Sequence, residues 1–132
     1  MRTYFFDENL PKRLPAMLAA LGVAARHQSD HFPIGTLDTV WLPEIGRREY
    51  VLITWDRKTR TRPAEAEALR TFGVTTIYLG PFWGKKQFWA QATWLVKHWP
   101  GTEDHVRGCK PGTVAMVQER GNFQRLALGH RK

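Results

Sequence analysis

The chain holds a single cysteine, Cys109, so it has no internal disulfide and no zinc-finger cysteine spacing. No apolar run is long enough to span a bilayer. The opening, Met1-Arg2-Thr3-Tyr4-Phe5-Phe6-Asp7, reaches an acid too early for a secretory signal peptide, so a soluble cytoplasmic protein without a membrane partner is expected. No Ser/His/Asp or Cys/His pattern supports nucleophilic catalysis. His27 and His31 stand four apart across an expected loop, which argues against a zinc pair. Acids are scarce as well: 12 Asp and Glu face 20 Lys and Arg, a net charge of +8. That balance favours a polyanion, chiefly nucleic acid, through phosphate neutralisation, with a merely solvated basic surface as the alternative.

What the chain does have is a set of strand-like apolar runs, two of which end in acids. Arg2–Phe6 runs into Asp7-Glu8, and Tyr50–Trp55 runs into Asp56. Val23–His27, Val74–Leu79 and Thr113–Val117 are further strand candidates. Helical spacing separates them. Leu14, Met17, Leu18 and Leu21 follow an Asn9 cap and Pro11, with Gly22 as the stop. Leu37, Val40, Trp41 and Ile45 follow a Thr36 cap, with Pro43 expected to kink or split the helix. A third helix begins near Pro63, and a fourth spans about Lys85 to Trp99, ended by Pro100-Gly101. This order predicts a three-layer α/β/α domain over residues 1–118, with a mostly parallel central sheet of about five strands and right-handed crossovers. Residues 119–132 read as a basic C-terminal tail.

In such a sheet the functional crevice lies beyond the carboxyl ends of the strands, where strand order reverses. Asp7 and Asp56 belong there. Asp38, in the first turn of the second helix, starts on the same edge. Three carboxylates in one crevice repel unless a proton or cation neutralises them, and Mg²⁺ or Mn²⁺ prefers such oxygen donors. Each acid also has a plainer reading: Asp7 as a turn residue, Glu8 and Asp38 as acids favoured by a helix dipole, Asp56 as a partner of Arg57 or Lys58. Arg57, Lys58, Arg60 and Arg62 are candidate phosphate contacts or a solvated loop. Phe82 and Trp83 follow a strand end and could line the crevice, whereas Phe88, Trp94 and Trp99 are expected to pack. Arg47 and Arg48 are expected on a solvated helix end.

The block Phe5-Phe6-Asp7-Glu8-Asn9-Leu10-Pro11 resembles the opening of PIN-like domains of the toxin–antitoxin type. The stretch from Thr36 to Glu65, with a helix-start Asp, an apolar strand and Thr54-Trp55-Asp56, is similar to a later block of the same group. The resemblance covers residues 3–83. It implies a parallel sheet flanked by helices, metal-dependent cleavage of RNA, and a protein antitoxin as partner; a homodimer stays open. By motif position, Asp7, Asp38 and Asp56 are the implied catalytic metal ligands, with Glu8 beside them and Mg²⁺ or Mn²⁺ as the cofactor. A fourth acid usual in such nucleases is replaced by basic residues after Asp56, which leaves Glu8, Glu65 or Glu67 to complete the site. Two other readings stand beside a ribonuclease toxin. One is a PIN-like module that binds RNA or protein without cleaving; the other is a phosphatase-like enzyme, disfavoured because the first strand lacks Asp-x-Asp.

Overall fold

The structure, a computed structural model, describes residues 2–55 and 63–127. Strand β1 (Tyr4–Phe6) leads to helix α1 (Arg13–Ala20) and strand β2 (Ala25–His27). A 3-10 turn (Gln28–Asp30) and helix α2 (Asp38–Arg47) precede β3 (Val51–Thr54). Helix α3 (Pro63–Thr71) and β4 (Thr76–Leu79) follow, then a 3-10 turn (Pro81–Lys85), helix α4 (Phe88–Gly108), β5 (Val114–Val117) and β6 (Phe123–Arg125). The strands form one sheet in the order β2-β1-β3-β4-β5-β6. The first five are parallel, and β6 runs antiparallel to β5. The architecture is the expected mostly parallel α/β sandwich, with six strands.

Alternation along each strand sorts the core into two layers. Tyr4, Phe6, Val51, Ile53, Ile77 and Leu79 face α1 and α4, packing with Leu14, Leu18, Leu95 and Trp99. Phe5 and Leu52 face α2 and α3, packing with Trp41, Leu42, Ile45 and Leu69. Strands β3, β4 and β5 are buried along their whole length, which is why they read as continuous apolar runs. The β4–α4–β5 connection moves across the sheet in the opposite direction to β1–α1–β2, yet its helix lies on the same face. Those two crossovers therefore have opposite hands, and the expectation of uniform right-handedness fails at α4.

Local departures from the expected elements have tertiary causes. Helix α1 begins at Arg13 because the Asn9 amide donates to the Asp7 carboxylate instead of the chain entering a helix there. Thr36 donates its hydroxyl to Pro33 O, and Leu37 takes the N-cap position of α2. Pro43 does not split α2, whose neighbouring Leu42 and Ile45 are buried. Likewise α4 continues through Pro100 and Gly101, because Thr102 and Val106 extend the buried face begun by Leu95 and Trp99. Residues 123–125, inside the segment read as a basic tail, pair with β5. Among the described residues, no helix is long and apolar enough to cross a membrane.

Candidate active site

Strand order reverses beside β1: the chain goes outward to β2, then returns past β1 to β3. The crevice of this sheet therefore opens beyond the carboxyl ends of β1 and β3. Phe6 pairs with Ile53, and Asp7 N extends the ladder by donating to Ile53 O at 3.2 Å. That bond sets Asp7 beside Thr54. The Thr54 hydroxyl donates to Asp7 Oδ2, while Asn9 N donates to Asp7 Oδ1 at 3.0 Å. Asp7 is only 4% exposed and Thr54 fully buried. A buried carboxylate is costly unless hydrogen-bonded, so these donors hold it in one orientation.

The turn that carries Asp7 is clamped by the 3-10 turn after β2. His27 Nε2 lies 2.7 Å from Leu10 O, a pure acceptor, so this nitrogen carries the proton. Its Nδ1 accepts from Ser29 N at 3.1 Å. Both ring nitrogens of His27 are thus engaged within the protein. The neighbouring Gln28, almost wholly buried, accepts from Glu8 N at 3.1 Å. The Glu8 side chain reaches the loop before α2, where Gly35 N lies 3.5 Å from Oε1. Asp38 stands in the first turn of α2, and Trp41 Nε1 donates to its Oδ1 at 3.1 Å. Asp7, Glu8 and Asp38 thus all lie on the carboxyl edge of the sheet. Asp56 follows the end of β3 by two residues, and Asp56, Arg57, Lys58, Arg60 and Arg62 lie outside the described residues.

Trp55 follows β3 on the same edge, with its Nε1 donating to Gly80 O at 3.3 Å. A Cβ at Gly84 would stand 2.5 Å from the Trp55 ring, so only glycine fits under this indole. Trp83 is buried against Phe82 and Trp94 and presents no face to the crevice, so its expected crevice role gives way to packing. Trp94 and Trp99 are core, as expected. Arg47 and Arg48 sit at the exposed end of α2, where both pair with Glu44, at 2.5 and 2.7 Å, and hold its carboxyl below the usual range. Burial, followed by the nearby Arg26, lowers the His31 value.

A family model described as a PIN-like domain matches residues 2–81, more than half of the chain. The chain belongs to the PIN-like domain family. The match includes Asp7, Glu8, Asp38 and Asp56 and stops at Pro81, before α4. No curated protein and no solved structure matches it. The donor set of this PIN-like domain, carboxylate and hydroxyl oxygens, suits a hard divalent cation. Among the described residues, no three Asp, Glu, His or Cys side chains stand close enough together to hold one. The positioning residues Thr54, Gln28 and His27 were not evident from the sequence. Their contacts to the Asp7 turn span 17 to 47 positions and leave no local motif.

Proposed function

We propose that this PIN-like domain is a Mg²⁺- or Mn²⁺-dependent endoribonuclease, the toxin of a toxin–antitoxin pair acting in the cytoplasm. The observation that supports this most strongly is the buried Asp7 carboxylate at the strand-order reversal, aimed by Thr54 and Asn9. A carboxylate fixed at that point of an α/β sheet stands where such sheets bind ligands, and fixed orientation is what catalysis needs. Asp7, Asp38 and Asp56 would hold the cation, with Glu8 alongside. When bound, such a cation supplies an activated water and charge stabilisation for phosphodiester hydrolysis.

The chain's own residues do the rest. Thr54 and Asn9 keep Asp7 in one rotamer, so no reorganisation is needed as charge develops. Arg57, Lys58, Arg60 and Arg62, next to Asp56, would contact phosphates flanking the scissile bond. Glu65, in the first turn of α3, starts on the same sheet edge and is the best placed candidate for a fourth acid. Glu67 instead accepts from Arg70 and Thr71 further along its own helix.

A PIN-like module that binds RNA or protein without cleaving is the competing reading, favoured by basic residues where a further acid is expected. Incubating purified protein with mixed RNA in Mg²⁺, Mn²⁺ or EDTA separates the two. We expect cleavage with either metal, none in EDTA, and none with Asp7→Asn or Asp56→Asn; the same variants should relieve growth inhibition. Equal cleavage by Asp7→Asn and the parent would assign the activity elsewhere. Metal-independent binding without cleavage would establish the competing reading.

A further inference from the structure

Trp89 is 82% exposed, an unusual state for the largest apolar side chain. It lies in the first turn of α4, outside the segment that defines the family. Trp89, Thr93 and Lys97 recur every four residues and so share one face of α4. With Lys86, Ala90, Trp94 and His98 they line a groove of about 460 Å³. Lys86 sits 6.0 Å over the Phe82 ring and pairs with Glu119 at 3.2 Å. Lys97 is exposed, as is Lys85 next to Lys86 in the chain.

The groove begins on the sheet edge that carries Asp7 and Asp38. Helices α1 and α4 follow β1 and β4, so both begin on the carboxyl edge of the sheet. Arg13, in the first turn of α1, places its guanidinium 4.1 Å over the Phe88 ring, and Phe88 touches Trp89 with 6.3 Å between centroids. Lys12 is exposed next to Arg13. Cations and aromatic faces thus run from the turn after Asp7 to Lys97, with Glu119 the acid lining the groove.

We propose that Trp89 is a base-stacking platform for single-stranded RNA, with Lys86, Lys97, Lys12 and Arg13 contacting the phosphates on either side. The identity of the polymer rests on the ribonuclease reading above. Every base has a face that can stack on an exposed indole, whereas a duplex hides its faces, so the platform selects unpaired strands without selecting sequence. The net charge of +8 and the lysines favour a polyanion over a protein partner for this groove.

The test is fluorescence anisotropy with a labelled oligouridylate and a duplex RNA of the same length, in EDTA so that nothing is cut. Trp89→Ala should weaken oligouridylate binding about tenfold and leave duplex binding unchanged, while Trp89→Phe recovers most of the loss. Lys97→Ala should reduce the slope of log affinity against log salt by about 0.7. Parental affinity in Trp89→Ala, equal loss for the duplex, or no recovery by Trp89→Phe would overturn the platform. So would a change in self-association with RNA affinity intact, which would mark Trp89 as a protein contact. If Asp7→Asn cleaves normally with Mg²⁺, the site reading fails while the platform result stands.

Discussion

Thr54→Val is a nearly isosteric change that replaces one hydroxyl donor in the site by a methyl group. The lost donor is the hydroxyl that bonds Asp7 Oδ2, and both partners are buried, so water cannot replace it. A hydrogen bond to a charged group contributes about 1.5–3 kcal/mol, and leaving its acceptor unsatisfied costs a comparable amount. We expect Thr54→Val to lower stability by about 2 kcal/mol in urea unfolding, or about 8 °C in Tm for a domain of this size. In an Asp7→Asn background the bond is between neutral groups, so the same substitution should cost about 1 kcal/mol, giving a coupling of about 1 kcal/mol. All carboxylates remain in Thr54→Val, so RNA cleavage should fall less than in Asp7→Asn. An equal penalty in both backgrounds, or none in either, would refute the argument that Thr54 is there to hold a charged Asp7.

Three further outcomes are expected. Gly84→Ala should push the Trp55 indole off Gly80 O, visible as a shift in tryptophan emission and a loss of cleavage larger than the loss of stability; unchanged emission would contradict the contact. Burial holds His105, stacked at 3.9 Å on Phe123, below its ordinary value of 6.5. A lowered folded-state value means that the neutral ring is favoured by folding, so its contribution is present above pH 6.5 and fades as pH falls beneath it. An NMR titration of the parent should show this depressed midpoint, and Phe123→Ala should move it upward; no movement would remove burial by Phe123 as the cause. Replacing Arg60 and Arg62 together by Ala should weaken RNA binding alike for all sequences and flatten the salt slope by about 1.4, and an unchanged slope would mark that loop as solvated surface.

The sheet was legible because β3, β4 and β5 are buried on both faces and so spell unbroken apolar runs, Val51–Thr54, Thr76–Leu79 and Val114–Val117. The placement of Asp7 and Asp38 on one edge followed from strand and helix order alone. Other features depend on contacts distant in sequence. Pro100-Gly101 is a local stop signal, and only the buried Thr102 and Val106 reveal that packing overrides it. Thr54 reads as an ordinary β-former until Asp7, 47 positions away, is seen to need its hydroxyl. Gly84 reads as loop punctuation until Trp55 is found against it. His27 had no role assigned by spacing, because its task is to hold the backbone of Leu10.

A Mn²⁺ titration followed by electron paramagnetic resonance tests, without reference to catalysis, whether Asp7, Asp38 and Asp56 share one divalent cation. Parent protein should take up Mn²⁺ in competition with Mg²⁺. Asp7→Asn, Asp38→Asn and Asp56→Asn, each folded by circular dichroism, should each lose most of that uptake. Parental Mn²⁺ binding in any one of the three would show that its carboxylate lies outside the site and would contradict the shared centre.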